Sequence, residues 1–412
     1  MQLKNQATAE SVVGFLIARL ASFPGPCLQL LQIGACIGHT FALHSLRSED
    51  LSSDQETLRH LLPAIENQLI VCRSHEINVL LEFADNFPDH VVFQFRHDRI
   101  QQAVYSLLEE GSKERMHLLL ARNLQKDPQA TSLKIAQHYA KAWALVDDPA
   151  ELLTLLRILS DAARLAKLAN SYEAALHYVS IARKLMPPEF WRRHYELAFE
   201  IEFTYFEANF LLARFDESES SALQLLGMVT DPERQIRVRY FLCFQYAIQM
   251  KHEECIQVGL KALSLCGIKI PRHPNFLSVV FHYRQVRSLL MKRTDAQLIE
   301  AEEIADPIVK LSQKILFEVI AAAVNSDQRW LIAACILCAT KFSVERGNSP
   351  ESAYSYLMFS IVQFIYFKER AAGKRIAPHR LNDHRILVGS LPARPHLWLF
   401  WQFRASLVLS KP

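Results

Sequence analysis

A mainly α-helical protein, with a small β-containing head and a long run of helical hairpins behind it, is the fold class the sequence predicts. Three observations predict it. Half of the 412 residues are hydrophobic and 22% are charged, enough apolar surface for two or three packed domains. Glycine is scarce, 11 residues against an average usage of about 7%, which disfavours folds built on many tight turns or glycine-rich phosphate loops. Strand-like apolar runs are confined to residues 69–97, while apolar spacings of three and four dominate elsewhere.

The head comes first. "ESVVGFLIARLASF" and "CLQLLQIGACIGHTFAL" read as short helices split by "PGP", and "DQETLRHLLPAIENQLI" reads as a third, with Pro63 expected to kink it or mark a boundary. Two β-like runs follow, "LIVCR" and "VVFQFRH". Three helices and a two-stranded ribbon in about a hundred residues outline a winged-helix-like domain over residues 1–128.

In "FQFRHDRIQQAVYSL" the period changes. Val91, Phe93 and Phe95 alternate with polar or smaller neighbours, as on a strand with one buried face. After His97, Ile100, Ala103, Val104, Leu107 and Leu108 fall on one helical stripe. Asp98 then stands as a helix cap with Gln101 three residues on, the spacing of a capping box worth about 1 kcal/mol. His97 is not explained by capping.

From residue 129 to 367 a helical repeat emerges. Tyr172 is followed by Ala175, Tyr178, Ala182, Leu185 and Pro187, the pattern of the second helix of a tetratricopeptide-like hairpin, in which small residues let helices approach. Phe215 with Ser218, Ala222 and Leu225, and His252 with Cys255, Gly259 and Ala262, repeat it. A weaker fourth copy starts at Pro350, with Ala353, Tyr356 and Ser360. Such hairpins bury their apolar faces by stacking into an α-solenoid, whose concave surface is expected to take a protein partner. Trp191, Tyr195, Phe199, Phe203 and Phe206 read as packing between repeats.

The tail, residues 368–412, breaks the pattern. It carries nine Lys or Arg against two acidic residues, with Trp398 and Trp401 among them, and reads as a basic irregular tail. His379 and His384 lie there without a Cys or carboxylate cluster to make a metal site. Net charge over the chain is only +3, so no global field argues for nucleic acid or anionic lipid. Eight scattered cysteines and the lack of a leader pattern predict reduced thiols in a cytoplasmic protein. Cys335 and Cys338 have the C-x-x-C spacing without further ligands, which favours core packing over zinc. The apolar run "WLIAACILCAT" is too short to cross a bilayer.

No phosphate-loop, Rossmann, zincin, nucleophile-elbow or kinase-loop motif occurs, and no nucleophile, base and oxyanion donors converge. The chain alone is therefore expected to bind no cofactor and to catalyse nothing.

"ESVVGFLIARLASFPGPCLQLLQIGACIGHTFAL", "FQFRHDRIQQAVYSLLEEGSKERMHLLLARNL", "SYEAALHYVSIARKL" and "ERGNSPESAYSYLMFS" resemble, in this order, the predicted-ATPase region of giant bacterial signalling proteins. Those proteins join a serine/threonine kinase-like domain, a STAND-type ATPase, helical repeats, GAF or PAS sensors and often a histidine kinase. The resemblance implies a fragment that begins after the nucleotide-binding core, so ATP or ADP would be held only with an upstream core acting in cis or in trans. Arg96-His97-Asp98 resembles the Met-His-Asp signature of related STAND switches, with arginine in place of methionine. By that resemblance His97 is a sensor that donates to a nucleotide phosphate. The other reading is a histidine packed at the strand end against a carbonyl. Function is accordingly expected to be non-catalytic signal transduction through a lid and an interaction scaffold. The alternative is a winged-helix DNA-binding regulator, disfavoured because residues 54–70 carry three acidic residues and one arginine.

Overall fold

The computed structural model describes residues 17, 19–20, 22–46, 53–77, 80, 91–127 and 130–367. Among them the protein is mainly α-helical, with seventeen α-helices and one small three-stranded sheet. The described residues fall into two compact units, divided after Thr204. The tail residues His379, His384, Trp398 and Trp401 lie outside the described residues.

The first unit opens with α1 (Gly25–Ile37), β1 (Thr40–Ala42), a 3-10 turn (Leu43–Leu46), α2 (Asp54–Glu66), β2 (Ile70–Cys72), β3 (Val92–Phe95) and α3 (Asp98–Ser106). Strand β3 lies between β1 and β2 and is antiparallel to both, with Phe41 opposite Phe93 and Ile70 opposite Phe95. The expected ribbon of two strands is thus a sheet of three. The segment "GHTFAL" does not continue the preceding helix, because Gly38 takes a φ of 150° that ends α1, and the chain turns into β1. Helix α1 lies close over the sheet at Gly34, where an added Cβ would stand 2.9 Å from the Phe41 ring.

Val91, Phe93 and Phe95 are buried while Val92 and Gln94 are half-buried, the alternation expected of β3. Phe41 lies 6.1 Å from Phe93 and 5.3 Å from Phe95, and this aromatic trio meets Leu30, Leu58, Leu61 and Ile100 in one core. Each fully buried phenylalanine contributes about 1.5–3 kcal/mol. Helix α2 is capped by Ser53, whose hydroxyl accepts from the Glu56 N–H, and it runs from Asp54 through Pro63 to Glu66.

Helices α4 (Glu110–Gln125), α5 (Ser132–Ala142), α6 (Pro149–Leu168), α7 (Tyr172–Leu185), the short α8 (Phe190–Arg193) and the start of α9 (Tyr195–Leu211) complete this unit. Helices α4 to α7 pack each on the next. The second unit holds α10 (Phe215–Met228), α11 (Pro232–Ile248), α12 (His252–Leu265), α13 (Phe276–Met291), α14 (Asp295–Ile299), α15 (Pro307–Asn325), α16 (Arg329–Arg346) and α17 (Ser352–Phe367). Here α12 packs on α11 and then on α15, so α13 and α14 stand aside from that sequence, and α13 lies on α16.

Two local devices recur. Helices α6, α11 and α15 each begin with Asp-Pro: proline fits the first helical position, and the carboxylates of Asp148, Asp231 and Asp306 accept from first-turn N–H groups at 2.8–2.9 Å. Each of the pairs α6–α7, α9–α10, α11–α12 and α15–α16 is closed by one left-handed residue, Asn170, Ala213, Met250 or Asp327, with φ between 55° and 61°. In each, the residue after it donates its N–H to the carbonyl five positions back, as Lys251 does to Tyr246 at 2.9 Å, the Schellman closure. The fourth such turn precedes Arg329. The expected copy from Pro350 has another register: α17 buries Ser352, Ser355, Tyr356 and Phe359 and leaves Ala353 and Ser360 half-buried.

Small residues sit where helices come close. Ala175, Ala182, Ser218, Ala222, Cys255 and Ala262 are all buried. At Gly259 a Cβ would collide with a Val319 methyl of α15 and stand 3.2 Å from the Cys243 sulfur of α11. Phe199, Phe203 and Phe206 are buried, whereas Trp191 and Tyr195 are half-buried and meet edge to face at 5.6 Å.

Gly259→Val is expected to destabilise the protein by about 1–3 kcal/mol through overpacking. Met250→Gly, which relieves a left-handed exposed side chain, is expected to stabilise it by about 0.5–1 kcal/mol after the added freedom of the unfolded chain. Urea-melt midpoints check both.

Candidate functional site

The candidate site is the corner where β3 passes into α3. Burial of Phe93 and Phe95 anchors the strand, and the Phe95 N–H donates to the His39 carbonyl at 3.0 Å while the Arg96 N–H donates to Leu69 at 3.0 Å. The chain leaves the sheet there, and Arg96, His97, Asp98 and Arg99 all face solvent. His97 holds the N-cap position in extended conformation, φ −144° and ψ 144°, with no side-chain cap hydrogen bond.

Asp98 and Gln101 do not close the expected capping box. Helix α3 begins at Asp98 itself, one residue earlier than a cap at that position allows. Its carboxylate Oδ1 instead lies 2.8 Å from Nδ1 of His39, just before β1, without the alignment of a hydrogen bond. The Gln101 amide donates to the Ala35 carbonyl near the end of α1 at 3.1 Å. Tertiary partners therefore claim both side chains. On the other side of the ring, His39 Nε2 lies 2.7 Å from the Gln94 amide nitrogen, which can donate to it. Arg96 donates to the Gln68 side-chain carbonyl. The His97 imidazole is exposed and not packed against a carbonyl, so the corner presents it between two arginines at the positive end of a helix, a setting suited to an anion.

A second polar cluster lies deeper in this unit and escapes sequence reading. Tyr105 of α3, His117 of α4 and His138 of α5 form a chain, with the Tyr105 hydroxyl 3.1 Å from His117 Nε2 and His117 Nδ1 2.9 Å from His138 Nδ1. Both imidazoles are buried. Burial, then the charge of Lys141, then His138, lowers the His117 pKa to about 3. Burial, then Lys141 and Lys134, lowers that of His138 to about 4. Lys113 and Lys141 lie over the Tyr105 ring at 5.1 and 5.4 Å, and Cys36 of α1 is held up to about 11 by burial. Each histidine is a single polar letter on an apolar helical face, which sequence cannot tell from a surface position.

In the second unit, Cys335 is buried with its thiol raised well above the usual range by burial, and Cys338 is pushed up to about 12 by the same cause; these are inert thiols in apolar packing. Among the described residues no cluster of three His, Cys, Asp or Glu is placed to hold a metal, and no helix is long and apolar enough to cross a membrane.

No protein-family model matches the chain. Over an alignment of 450 positions it is 18% identical to the hybrid signal transduction histidine kinase G of Dictyostelium discoideum, with 92% of this chain and 13% of that protein covered. The chain thus spans about an eighth of that relative's length, and the likeness supports a relation to signal transduction.

The buried histidine pair sets an acid limit. Folded pKa values below the unfolded 6.5 mean that the unfolded chain binds more protons, so stability is full above about pH 6.5 and falls as pH drops towards 4 and 3. The loss is expected to be on the order of 2 kcal/mol per histidine at pH 5. Urea melts at pH 7 and pH 5 measure it, and a His138→Gln variant should show a shallower dependence.

Proposed function

We propose that this chain is a non-catalytic signal-transduction module: a winged-helix-like lid, residues 1–128, joined to tetratricopeptide-like repeats, residues 129–367, that bind a protein partner on a concave face. It serves a STAND-type ATPase whose nucleotide-binding core is supplied by another segment or chain. The observation that carries the reading is the solvent-facing His97 between Arg96 and Arg99 at the start of α3. An exposed imidazole there is free to donate to a phosphate oxygen brought by a second surface, whereas a buried one would not be. The similarity to a hybrid signal transduction histidine kinase, a far longer protein, supports placing such a module within a larger signalling assembly. Coupling then requires that the lid contact the core differently in its ADP and ATP states.

DNA binding by the same domain is not favoured. Exposed positions of α2 include Glu56, Arg59 and Glu66, a face too acidic to meet phosphate.

Calorimetry on the isolated chain is expected to show no ATP or ADP binding, and a submicromolar affinity would overturn the reading. With a STAND nucleotide-binding core added, His97→Ala is expected to weaken ADP binding roughly 10- to 100-fold, the worth of one charge-assisted hydrogen bond. An unchanged affinity would remove His97 from the sensor role.

A further inference from the structure

From Cys255 to Thr294 the chain runs for forty residues without a carboxylate and carries seven Lys or Arg. Helix α13 lies in this stretch. Its inner side is well occupied: Val279, Tyr283, Val286 and Leu290 are buried, and the Tyr283 ring stacks on Phe367 at 3.7 Å and on Phe359 at 5.9 Å. The opposite side is not. Leu277 is 75% exposed, Phe281 59% and Met291 73%.

These three are not scattered. With Arg284 and Ser288 they follow one another in steps of four, three, four and three along α13, the seven-residue period by which one helix seats another. Single exposed apolar residues are ordinary on a protein surface; three large ones in one helical register are a line along which another helix can lie. The seam is also interrupted by Arg284 and Ser288 and flanked by exposed Gln285 and Lys292; Phe276 at its N-terminal end, 49% exposed, leans on Trp330 at 5.3 Å and does not extend it. A helix lying in a membrane interface needs a broad apolar face, which α13 does not turn outward. A second helix with a narrow apolar edge fits it, and the surrounding positive charge selects the sign of that helix's flanks.

We infer that the outer face of α13 is a docking site for an acidic amphipathic helix of a partner protein. The partner's apolar edge lies against Leu277, Phe281 and Met291, and its carboxylates meet Arg284 and Lys292. The geometry is that of helix pairing in which one cation within the seam, Arg284, and one beside it, Lys292, select an acidic partner, which fixes partner choice more than affinity. This site goes beyond the nucleotide reading of the β3–α3 corner and does not depend on it.

The test uses the full chain and designed peptides about three heptads long, with a leucine seam and either glutamate or lysine flanks. The glutamate peptide is expected to bind, more weakly at high salt, and Leu277→Asp or Phe281→Asp to weaken it about tenfold or more. Both positions are exposed, so circular dichroism should be unchanged. The double variant R284E/K292E is expected to reverse the preference and bind the lysine peptide instead. Absence of glutamate-peptide binding overturns the inference, as does an affinity that Leu277→Asp leaves unchanged or a preference that R284E/K292E does not reverse. Sedimentation with phosphatidylserine–phosphatidylcholine vesicles, lost in Leu277→Asp while the peptide fails to bind, would assign the face to a membrane.

Discussion

Close approach between helices is the constraint on which most of this structure rests, and the chain meets it by removing side-chain volume at the crossings and by joining successive helices through tight turns. Gly259 is the clearest instance, since α12 reaches α11 and α15 only because no Cβ stands between them. The left-handed residues at Asn170, Ala213, Met250 and Asp327 do the complementary work at the ends. A residue held at positive φ costs about 1–2 kcal/mol when it has a side chain, yet it turns the backbone in so few residues that the next helix starts in contact with the last. Asp-Pro at the head of α6, α11 and α15 fixes where the first helix of those pairs begins. Start, turn and crossing are thus set locally, and burial of the apolar faces follows.

The head obeys a different rule. There the Phe41, Phe93 and Phe95 rings hold a three-stranded sheet against α1, and the strand order puts β3 in the centre. A central strand must leave the sheet at its end, and the residues that leave it are Arg96 to Arg99. The exposure of His97 is therefore a consequence of how firmly Phe93 and Phe95 are buried. The same corner brings His39 beside Asp98, with Oδ1 of the carboxylate 2.8 Å from Nδ1 of the ring.

Much of this was legible. The alternation of Val91, Phe93 and Phe95 and the stripe from Ile100 to Val104 are periods, and periods survive without tertiary context. What was lost has physical reasons. Strand β1 hid because "IGHTFAL" continues the apolar spacing of the helix before it, and only the conformation of Gly38 separates the two. Asp98 and Gln101 carry the right letters for a capping box, but His39 and the Ala35 carbonyl arrive from elsewhere in the fold and take both side chains. Ala213 and Met250 have no preference for left-handed backbone, so nothing local marks their turns. The pairing of His117 with His138 depends on two helices that sequence spacing cannot bring together.

That pairing has a further property. Two neutral imidazoles joined through their Nδ1 atoms share a single hydrogen, which belongs to one ring or the other, and the choice propagates: if His117 gives it, the Tyr105 hydroxyl points inward, and if His138 gives it, the hydroxyl receives from Nε2 instead. Three helices are consequently linked by one hydrogen-bond chain that can run in either of two tautomeric directions.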